Sequence, residues 1–443
     1  PVQWQGIKFS PGSGEPAPQA ATDAVTKHAN RHLQSASEIR SADLTLAEDE
    51  DRLIQFDPRV DYCQWLLDAG LDDARIPFDV DAIARFFTND RRIVVDEMHG
   101  AGRGYLPWIL DRIGVPYTLL HGTKDPMLGG LHAANPEEPN IDLLKKTVLA
   151  ESAAIGVGLD TDADRYGIVS SDGSYFWPNR ILNMLTYSLG VDRGFTGRLA
   201  MSFVTTHLVD DIAGDIADNE LNQPLPGSLP PHMRAGDYQS YVGDPRSLAP
   251  KHSFYVPTGL KNLVLVPQMD RDYQVLSPRP SHWMDAMLLA GEEAAGLTTR
   301  GHIPDKDGMW AHLLILDMMA RYRATLEEIW KDITARYWRP HFDRVFVPAS
   351  PNASAVLIDS YLNTFAGAQP GAKSFAGCPV LYLGGIPGKY AEFRLADETG
   401  QENTFIHIRP SGTEPLIRVY LETPSHGALS ALRDQINKDA AAI

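Results

Sequence analysis

The stretch GVGLDTDADRYGIVSSDG, residues 156–173, places three aspartates at alternate positions, Asp160, Asp162 and Asp164, directly before Arg165. Alternate residues of an extended segment point to the same side, so a strand or a tight loop here directs three carboxylates at one point. Three like charges that close need a cation, and carboxylate oxygens favour a hard divalent ion, Mg²⁺ first and Ca²⁺ second. The stretch therefore predicts a divalent-metal site.

Two other interpretations of the aspartates have to be weighed. An EF-hand loop starts with a similar pattern, but it needs glycine at its sixth position and a bidentate acid at its twelfth, where this chain has Arg165 and Ser171. The EF-hand is therefore excluded, and an acidic surface loop without a metal is the remaining alternative. Arg165 favours the metal, because a cation beside a metal site usually means that the two share an anion, often a phosphate.

Composition narrows the class of protein. The chain has 443 residues, of which 43% are hydrophobic and 22% charged, which is typical of a globular protein with two to four domains. A net charge of −17 argues against nucleic acid as a partner. Neither a membrane-spanning run nor a signal peptide is seen, so we expect a cytoplasmic protein. Cys63 and Cys378 are isolated and are predicted to be reduced core residues.

The order of apolar segments predicts the fold class. From about residue 49, buried strands alternate with amphipathic helices, as where RRIVVDEMHG is followed by GYLPWILDRIGV, and this predicts mainly parallel sheets with helices on both faces. A second such unit begins near RLAMSFVTTHLVDDIA, and residues 215–250 within it are rich in Pro and Gly, as in a long loop or insertion. Residues 339–443 mix strands and helices differently and predict a separate α+β domain.

Three further loops carry residues suited to binding a sugar phosphate. RPSGTEP (409–415) combines an arginine, two hydroxyls and a glycine, which together suit an oxyanion. GEEAAG (291–296) places two acids between glycines, where a carboxylate can accept hydrogen bonds from sugar hydroxyls, and VPTGLKN (256–262) places a lysine on a glycine-containing turn. Each loop alone is more often an ordinary polar turn, and only their combination indicates a site.

The four loops DTDADR, TGLK, GEEAAG and RPSGTEP occur in this order, and they resemble the metal, phosphate-contact, sugar and phosphate-binding loops of the α-D-phosphohexomutase superfamily. GIKFSPGSGEPAPQAATDAVTKHAN, VTTHLVDDIA and PDKDG also resemble segments of that superfamily, and the long first segment is more similar to bacterial phosphoglucomutases than to phosphomannomutases. The resemblance implies α/β architecture with three related domains and a C-terminal α+β domain around a central cleft. The corresponding ranges are 1–48 (a remnant of the first domain), 49–198, 199–338 and 339–443.

The resemblance also implies a reaction and its residues. A phosphoserine would exchange its phosphoryl group with a sugar monophosphate through a hexose 1,6-bisphosphate, which also serves as primer, and Mg²⁺ would be held by Asp160, Asp162 and Asp164. Arg165 and Lys8 would be the catalytic cations, Lys8 as a proton-transfer group near the serine. The implied substrate-binding residues are Thr258, Gly259, Lys261, Glu292, Arg409, Ser411, Gly412, Thr413 and Arg418.

The chain departs from the family pattern at three places. The serine loop TxSHNP would end at Pro1, so we expect either that the chain is a piece of a longer protein or that it is a natural protein without the nucleophile. Ser10 and Ser13 are weak substitutes, because they follow Lys8. Ala294 replaces a serine that contacts the sugar in the family, and segments 215–250 and 266–285 are longer than the family pattern.

These departures leave the sugar and the activity open. Glucose is the first expectation for the hexose. A non-catalytic sugar-phosphate binding protein and a metal-dependent phosphohydrolase are the alternatives, and the oligomeric state is not predicted.

Overall fold

The computed structural model describes residues 9–12, 14–17, 19–35, 43, 45, 53–131, 133–216, 253–256, 258–259, 263–264, 283–411 and 415–442. The chain divides into two compact units. The first comprises Pro1–Phe176, Ser281–Asp285 and Ala295–Thr325, and the second comprises Trp177–Pro280, Ala286–Ala294 and Leu326–Ile443.

Helices and strands alternate through the first part of the chain. Up to residue 176 the elements are α1 (Gln19–Gln34), α2 (Arg59–Leu67), α3 (Val80–Phe86), β1 (Ile93–Asp96), α4 (Tyr105–Ile113), β2 (Tyr117–Leu120), α5 (Asp142–Ala150), β3 (Ile155–Leu159) and β4 (Tyr166–Ser170). From residue 178 to residue 336 they are α6 (Pro178–Thr186), β5 (Arg198–Ser202), α7 (Leu208–Gly214), β6 (Ser253–Val256), β7 (Met287–Gly291), β8 (Leu297–Thr299), α8 (Gly308–Tyr322) and α9 (Leu326–Arg336).

The remaining elements are mostly strands. They are β9 (His341–Pro348), α10 (Pro351–Phe365), β10 (Ser374–Phe375), β11 (Cys378–Ile386), β12 (Tyr390–Ala396), β13 (Glu402–Pro410), β14 (Leu416–Thr423) and α11 (His426–Ala441). Short 3₁₀ turns span Asp68–Leu71, Asn89–Arg91, Leu128–Gly130 and Trp283–Ala286, and a π-helical turn spans Tyr187–Asp192.

The first unit contains a four-stranded sheet in the order β2-β1-β3-β4. Strand β1 pairs in parallel with β2 and with β3, as the alternation of strands and helices predicts. Strand β4 instead pairs antiparallel with β3, because only residues 160–165 separate the two strands and a parallel return needs a much longer crossover. The acidic turn that the sequence analysis singled out is therefore the tip of a hairpin.

Helices cover both faces of this sheet. On one side Leu144 and Val148 of α5 pack with Val94 and Val169. On the other side α8 contacts β3, β4 and α3, and its residues from Gly308 to Ala320 are all buried. Its sequence GMWAHLLILDMMARY is apolar on nearly all sides, which is typical of a helix enclosed by protein.

The second unit begins with parallel strands in the order β6-β5-β7. Helix α7 follows β5 and starts beside the carboxylate of Glu422, a buried residue of β14. This carboxylate accepts hydrogen bonds from Thr206 Oγ1 (2.6 Å) and from the backbone N–H of His207 (2.8 Å). Burial, the largest cause, raises the pKa of Glu422 to about 8.

The second unit also contains a six-stranded sheet in the order β10-β11-β12-β13-β14-β9, whose pairings are all antiparallel. Alternate side chains divide this sheet into two different faces. One face is an apolar core with α10 and α11, built around Phe393, Ile406 and Val419. The register pairs His407 with Tyr420 on the opposite face, which is therefore polar.

A chain of hydrogen bonds crosses this polar face. His207 Nε2 lies 3.2 Å from His407 Nε2, and His407 Nδ1 lies 2.7 Å from the hydroxyl of Tyr390. The Tyr390 hydroxyl donates to Glu392 Oε2 (3.2 Å), and Arg394 Nε donates to Glu392 Oε1 (2.6 Å). All five side chains are buried, so the network holds its polar groups away from water.

Several expectations about the chain can now be compared with the structure. Cys63 is buried as predicted, whereas Cys378 is only partly buried, because it lies at the margin of the core beside the two-residue strand β10. Among the described residues, none of the helices has the length and the apolar character that a bilayer span requires. Most of segments 215–250 and 266–285 lies outside the described residues, and the division into four domains stays a prediction.

Glu422 allows a test of the buried carboxylate. The folded chain holds this proton up to about pH 8, whereas an unfolded glutamate loses it near its ordinary pKa of 4.5, so the free energy of unfolding should fall as the pH rises through this window. Between pH 5 and pH 8 the free energy of unfolding of the wild type should fall by about 2 to 4 kcal/mol more than that of Glu422→Gln. Urea unfolding at both pH values measures the difference, and the exposed Glu398→Gln is the control. Parallel pH profiles of wild type and Glu422→Gln would contradict the assignment.

Candidate active site

The three aspartates of the hairpin tip lie together. One carboxylate oxygen each from Asp160, Asp162 and Asp164 lies within 4.8 Å of the others, which forms a group of potential metal ligands among the described residues. Asp160 is buried, Asp164 is half-buried and Asp162 is exposed. A tight turn with Ala163 at φ +62° brings them together, rather than continuous strand geometry. The arrangement offers three hard oxygen ligands to one divalent ion.

Backbone contacts hold this turn in place from three sides. The N–H of Ala101 donates to the carbonyl of Thr161 (2.7 Å), and the N–H of Thr161 donates to the carbonyl of Ala134 (3.1 Å). The N–H of Gly308, at the start of α8, donates to the carbonyl of Ala163 (3.0 Å). A Cβ atom at Gly308 would lie 2.7 Å from the carbonyl oxygen of Arg165, so this close approach requires glycine.

The three carboxylates of the turn repel one another, and two cationic side chains lie beside them. Burial, followed by the charges of Asp164 and Asp162, raises the pKa of Asp160 to about 7. Arg165 Nε lies 3.6 Å from Asp160 Oδ2 and 3.8 Å from Asp164 Oδ1. Lys306 Nζ lies 3.4 Å from Asp164 Oδ1. The turn thus combines three acids with two flanking cations, which suits a metal ion that is shared with a bound anion.

The predicted sugar loop follows β7 in the second unit. Glu292 is buried, and its Oε1 accepts a hydrogen bond from the backbone N–H of Gly259 at 2.8 Å. Gly259 has φ +112°, which glycine adopts without strain. The structure therefore brings Glu292 to the turn formed by Thr258 and Gly259, as expected if these residues line one binding surface.

The predicted phosphate-binding arginines lie on adjacent strands of the six-stranded sheet. Arg409 of β13 and Arg418 of β14 are directly paired in the register. Arg409 Nη2 donates to the hydroxyl of Tyr420 (2.9 Å), and the N–H of Ser411 donates to the carbonyl of Leu416 (2.8 Å), which closes the strand pair. Two guanidinium groups on one face of adjacent strands are well suited to hold a phosphate.

Sequence reasoning missed four residues near these loops. Lys306 reaches Asp164 from the segment PDKDG, whose resemblance to the family was a signal that could have identified it. Glu293, the second acid of GEEAAG, lies beside Arg409 and accepts a hydrogen bond from Ser202 Oγ (2.8 Å). Ser202 and Tyr420 had no signal in the sequence, because Ser202 meets Glu293 only in the folded chain and Tyr420 meets Arg409 only through the pairing of β13 with β14.

Some predicted residues cannot be placed. Lys8, Lys261, Gly412, Thr413 and Ser13 lie outside the described residues, so their roles stay predictions. Ser10 is described and is exposed.

Comparisons with known proteins identify the family of the chain. Profiles of phosphoglucomutase/phosphomannomutase domains match residues 76–173 (alpha/beta/alpha domain II), 255–337 (alpha/beta/alpha domain III) and 386–439 (C-terminal domain). Together they cover more than half of the chain. A phosphoglucomutase of Komagataeibacter xylinus is 25% identical, over 96% of this chain and 67% of that protein. A phosphoglucomutase of Rhizobium radiobacter is 24% identical over 78% of this chain, which spans only 55% of that relative.

Solved structures show the same fold. The open form of pp63/parafusin, a phosphoglucomutase from Paramecium, is similar with a TM-score of 0.67 at 20% identity, covering 98% of this chain and 74% of that chain. A phosphomannomutase-like structure from Thermus thermophilus has a TM-score of 0.58 at 21% identity, covering 86% of this chain and 66% of that one. At these identities the likeness concerns the fold alone.

The metal site can be tested at its exposed aspartate. Asp162→Asn keeps the shape of the side chain but removes one charged ligand, so Mg²⁺ affinity should fall at least about tenfold while the fold survives. Calorimetric titration with Mg²⁺ measures the affinity, and thermal unfolding with and without Mg²⁺ measures the linked stabilisation. Asp73→Asn, at an exposed aspartate of the same unit, is the matched control. Equal Mg²⁺ affinity in wild type and Asp162→Asn would rule out the three-aspartate site.

Proposed function

The chain belongs to the phosphoglucomutase/phosphomannomutase family, and we propose that it is a phosphohexomutase that interconverts a hexose 1-phosphate and a hexose 6-phosphate. Glucose is the proposed hexose, because the relatives from Komagataeibacter xylinus and Rhizobium radiobacter are phosphoglucomutases. One observation carries the proposal: three carboxylates converge at one turn with Arg165 and Lys306 beside them, an arrangement that suits a metal ion and a phosphoryl group.

The proposed reaction transfers one phosphoryl group in each direction. A phosphoserine gives its phosphoryl group to the free hydroxyl of a hexose monophosphate, which forms a hexose 1,6-bisphosphate. The bisphosphate turns over in the site, and its other phosphate returns to the serine, so that the isomeric monophosphate leaves. Such transfer depends on positioning and on stabilising charge rather than on further covalent chemistry by the protein.

The described residues have distinct parts in this reaction. Asp160, Asp162 and Asp164 would hold Mg²⁺, which when bound neutralises charge on the transferring phosphoryl group. Arg165 lies beside these carboxylates and can contact the same phosphoryl oxygens. Glu292, held by the turn at Gly259, would accept hydrogen bonds from the sugar hydroxyls.

The phosphate that is not reacting requires a second binding place. Arg409 and Arg418 are paired across β13 and β14, and Ser411 follows at the end of β13. A guanidinium group binds phosphate oxygens in bidentate fashion, and two of them can position the sugar for transfer.

The primer, the phosphoserine and the cytoplasmic location stay predictions.

The phosphate-binding role can be tested by a charge-conserving substitution. Arg409→Lys keeps the charge but loses the bidentate fork, so binding of glucose 6-phosphate should weaken by about 1 to 3 kcal/mol. Calorimetric titration measures the affinity. Arg336→Lys makes the same change on the exposed side of α9 and should bind as the wild type does. Equal affinity in wild type and Arg409→Lys would remove Arg409 from the site.

The reaction itself is tested by turnover of glucose 1-phosphate with Mg²⁺ and glucose 1,6-bisphosphate present. A longer polypeptide with a Ser-His-Asn segment before Pro1 and the rest of a first domain should form glucose 6-phosphate, whereas residues 1–443 alone should not. Turnover by residues 1–443 would place the nucleophile within them, with Ser10 or Ser13 the first candidates. Release of inorganic phosphate would favour a phosphohydrolase, and binding without turnover by the longer polypeptide would favour a binding protein.

A further inference from the structure

Glu293 lies next to the guanidinium of Arg409 without forming a hydrogen bond to it. The distance from Glu293 Oε1 to Arg409 Nη2 is 3.8 Å, longer than the 2.7–2.9 Å that is usual for a charge-assisted hydrogen bond. Only 10% of the Glu293 side chain is exposed, and Ser202 Oγ at the end of β5 donates to its other oxygen at 2.8 Å. The carboxylate is therefore fixed beside the arginine by the neighbouring strand.

Arg409 keeps hydrogen-bonding capacity in spite of this ion pair. Its Nη2 donates to the hydroxyl of Tyr420, and its Nε is buried and has no hydrogen-bond partner among the described residues. The side chain is 20% exposed. Glu293 thus compensates the charge of Arg409 without occupying the donors that an oxyanion would use.

The surroundings of Tyr420 show the balance of charge at this point. Burial is the largest cause that raises the pKa of Tyr420, and Glu293 raises it further, whereas Arg409, Arg418 and Arg344 lower it. Three arginines and one acid are therefore close enough to act on the same hydroxyl. Among these groups the arginines outnumber the acid, and Glu293 offsets one of their charges.

We propose that Glu293 is an internal counter-ion that competes with the ligand phosphate for Arg409 and so limits the affinity of this site for phosphate. The inference rests on the proposed function, in which Arg409 and Arg418 bind the phosphate that is not being transferred. A half-buried guanidinium without an opposite charge nearby carries a desolvation cost, and Glu293 reduces that cost when the phosphate leaves. A bound phosphate in turn lies close to a fixed negative charge, which weakens its binding.

This competition would help a reaction in which the bisphosphate intermediate must reorient within the site. The phosphate held at Arg409 has to be released once in each cycle, so a grip that is too strong would slow the exchange of the two phosphates. Glu293 therefore acts as a positioning residue that sets the release of phosphate, and it takes no part in the transfer itself.

Glu293→Gln tests the inference, because it removes the charge while its amide oxygen can still accept the hydrogen bond from Ser202. Inorganic phosphate is the probe, titrated by calorimetry into residues 1–443. The dissociation constant should fall by about 3- to 10-fold in the variant. Asp332→Asn makes the same change of net charge on the exposed surface of α9 and should leave the affinity unchanged. The ammonium of Arg409→Lys cannot form the bidentate contact. In that background Glu293→Gln should therefore increase the affinity for phosphate by a smaller factor.

Each result decides the matter. Tighter phosphate binding by Glu293→Gln, with no change in Asp332→Asn, supports the competition. Unchanged or weaker binding overturns it, since weaker binding would mean that Glu293 orients Arg409 for the ligand. Undetectable phosphate binding by both wild type and Glu293→Gln also overturns it. The proposed function has its own test, which it fails if the longer polypeptide does not isomerise glucose 1-phosphate. The effect of Glu293→Gln on the affinity for inorganic phosphate is measured independently of that result.

Discussion

The turn at residues 160–165 confines three carboxylates to a space in which they repel one another, and the first unit is organised around that constraint. Asp160, Asp162 and Asp164 present oxygens within 4.8 Å, at a tip that the sheet partly buries. Only a turn that is fixed by its backbone can hold such a group. Contacts from the loop after β1, from Ala134 and from the start of α8 do so, and each uses main-chain atoms. The geometry of the site thus depends on the packing of α8 and of the parallel strands below it.

The second unit meets a different requirement, which is to carry buried cations beside a solid core. The six-stranded sheet separates these tasks by its two faces. Phe393, Ile406 and Val419 face α10 and α11, while arginines, acids and histidines share the other face. Strand alternation alone produces this division, so residues one position apart in β13 and β14 lie on the apolar and the polar face respectively.

The sequence was informative where chemistry is local. The three aspartates, Glu292 and Arg409 were found because each lies in a short motif of polar residues between apolar segments. The local geometry of the aspartates was harder to predict. Their alternation is compatible with an extended strand or a tight loop, and the structure has a turn with Ala163 at φ +62°. Glu293 and Tyr420 gained meaning only from the folded chain, in which Glu293 meets Ser202 from 91 residues earlier and Tyr420 meets Arg409 across the pair of β13 and β14. No short motif encodes these contacts. The antiparallel β4 follows from the short turn before it, which the sequence contained but the general alternation of strands and helices obscured.

The hydrogen-bond chain on the polar face of the six-stranded sheet fixes the tautomers of two histidines. The Tyr390 hydroxyl donates its hydrogen bond to Glu392, which Arg394 anchors, so the oxygen of Tyr390 accepts from His407 Nδ1. In neutral His407 the other ring nitrogen, Nε2, is an acceptor, so that His207 Nε2 donates the hydrogen bond between the two rings. One carboxylate thus orients a series of protons that ends at the first turn of α7. In this arrangement the two neutral imidazoles are opposite tautomers, His407 with its proton on Nδ1 and His207 with its proton on Nε2.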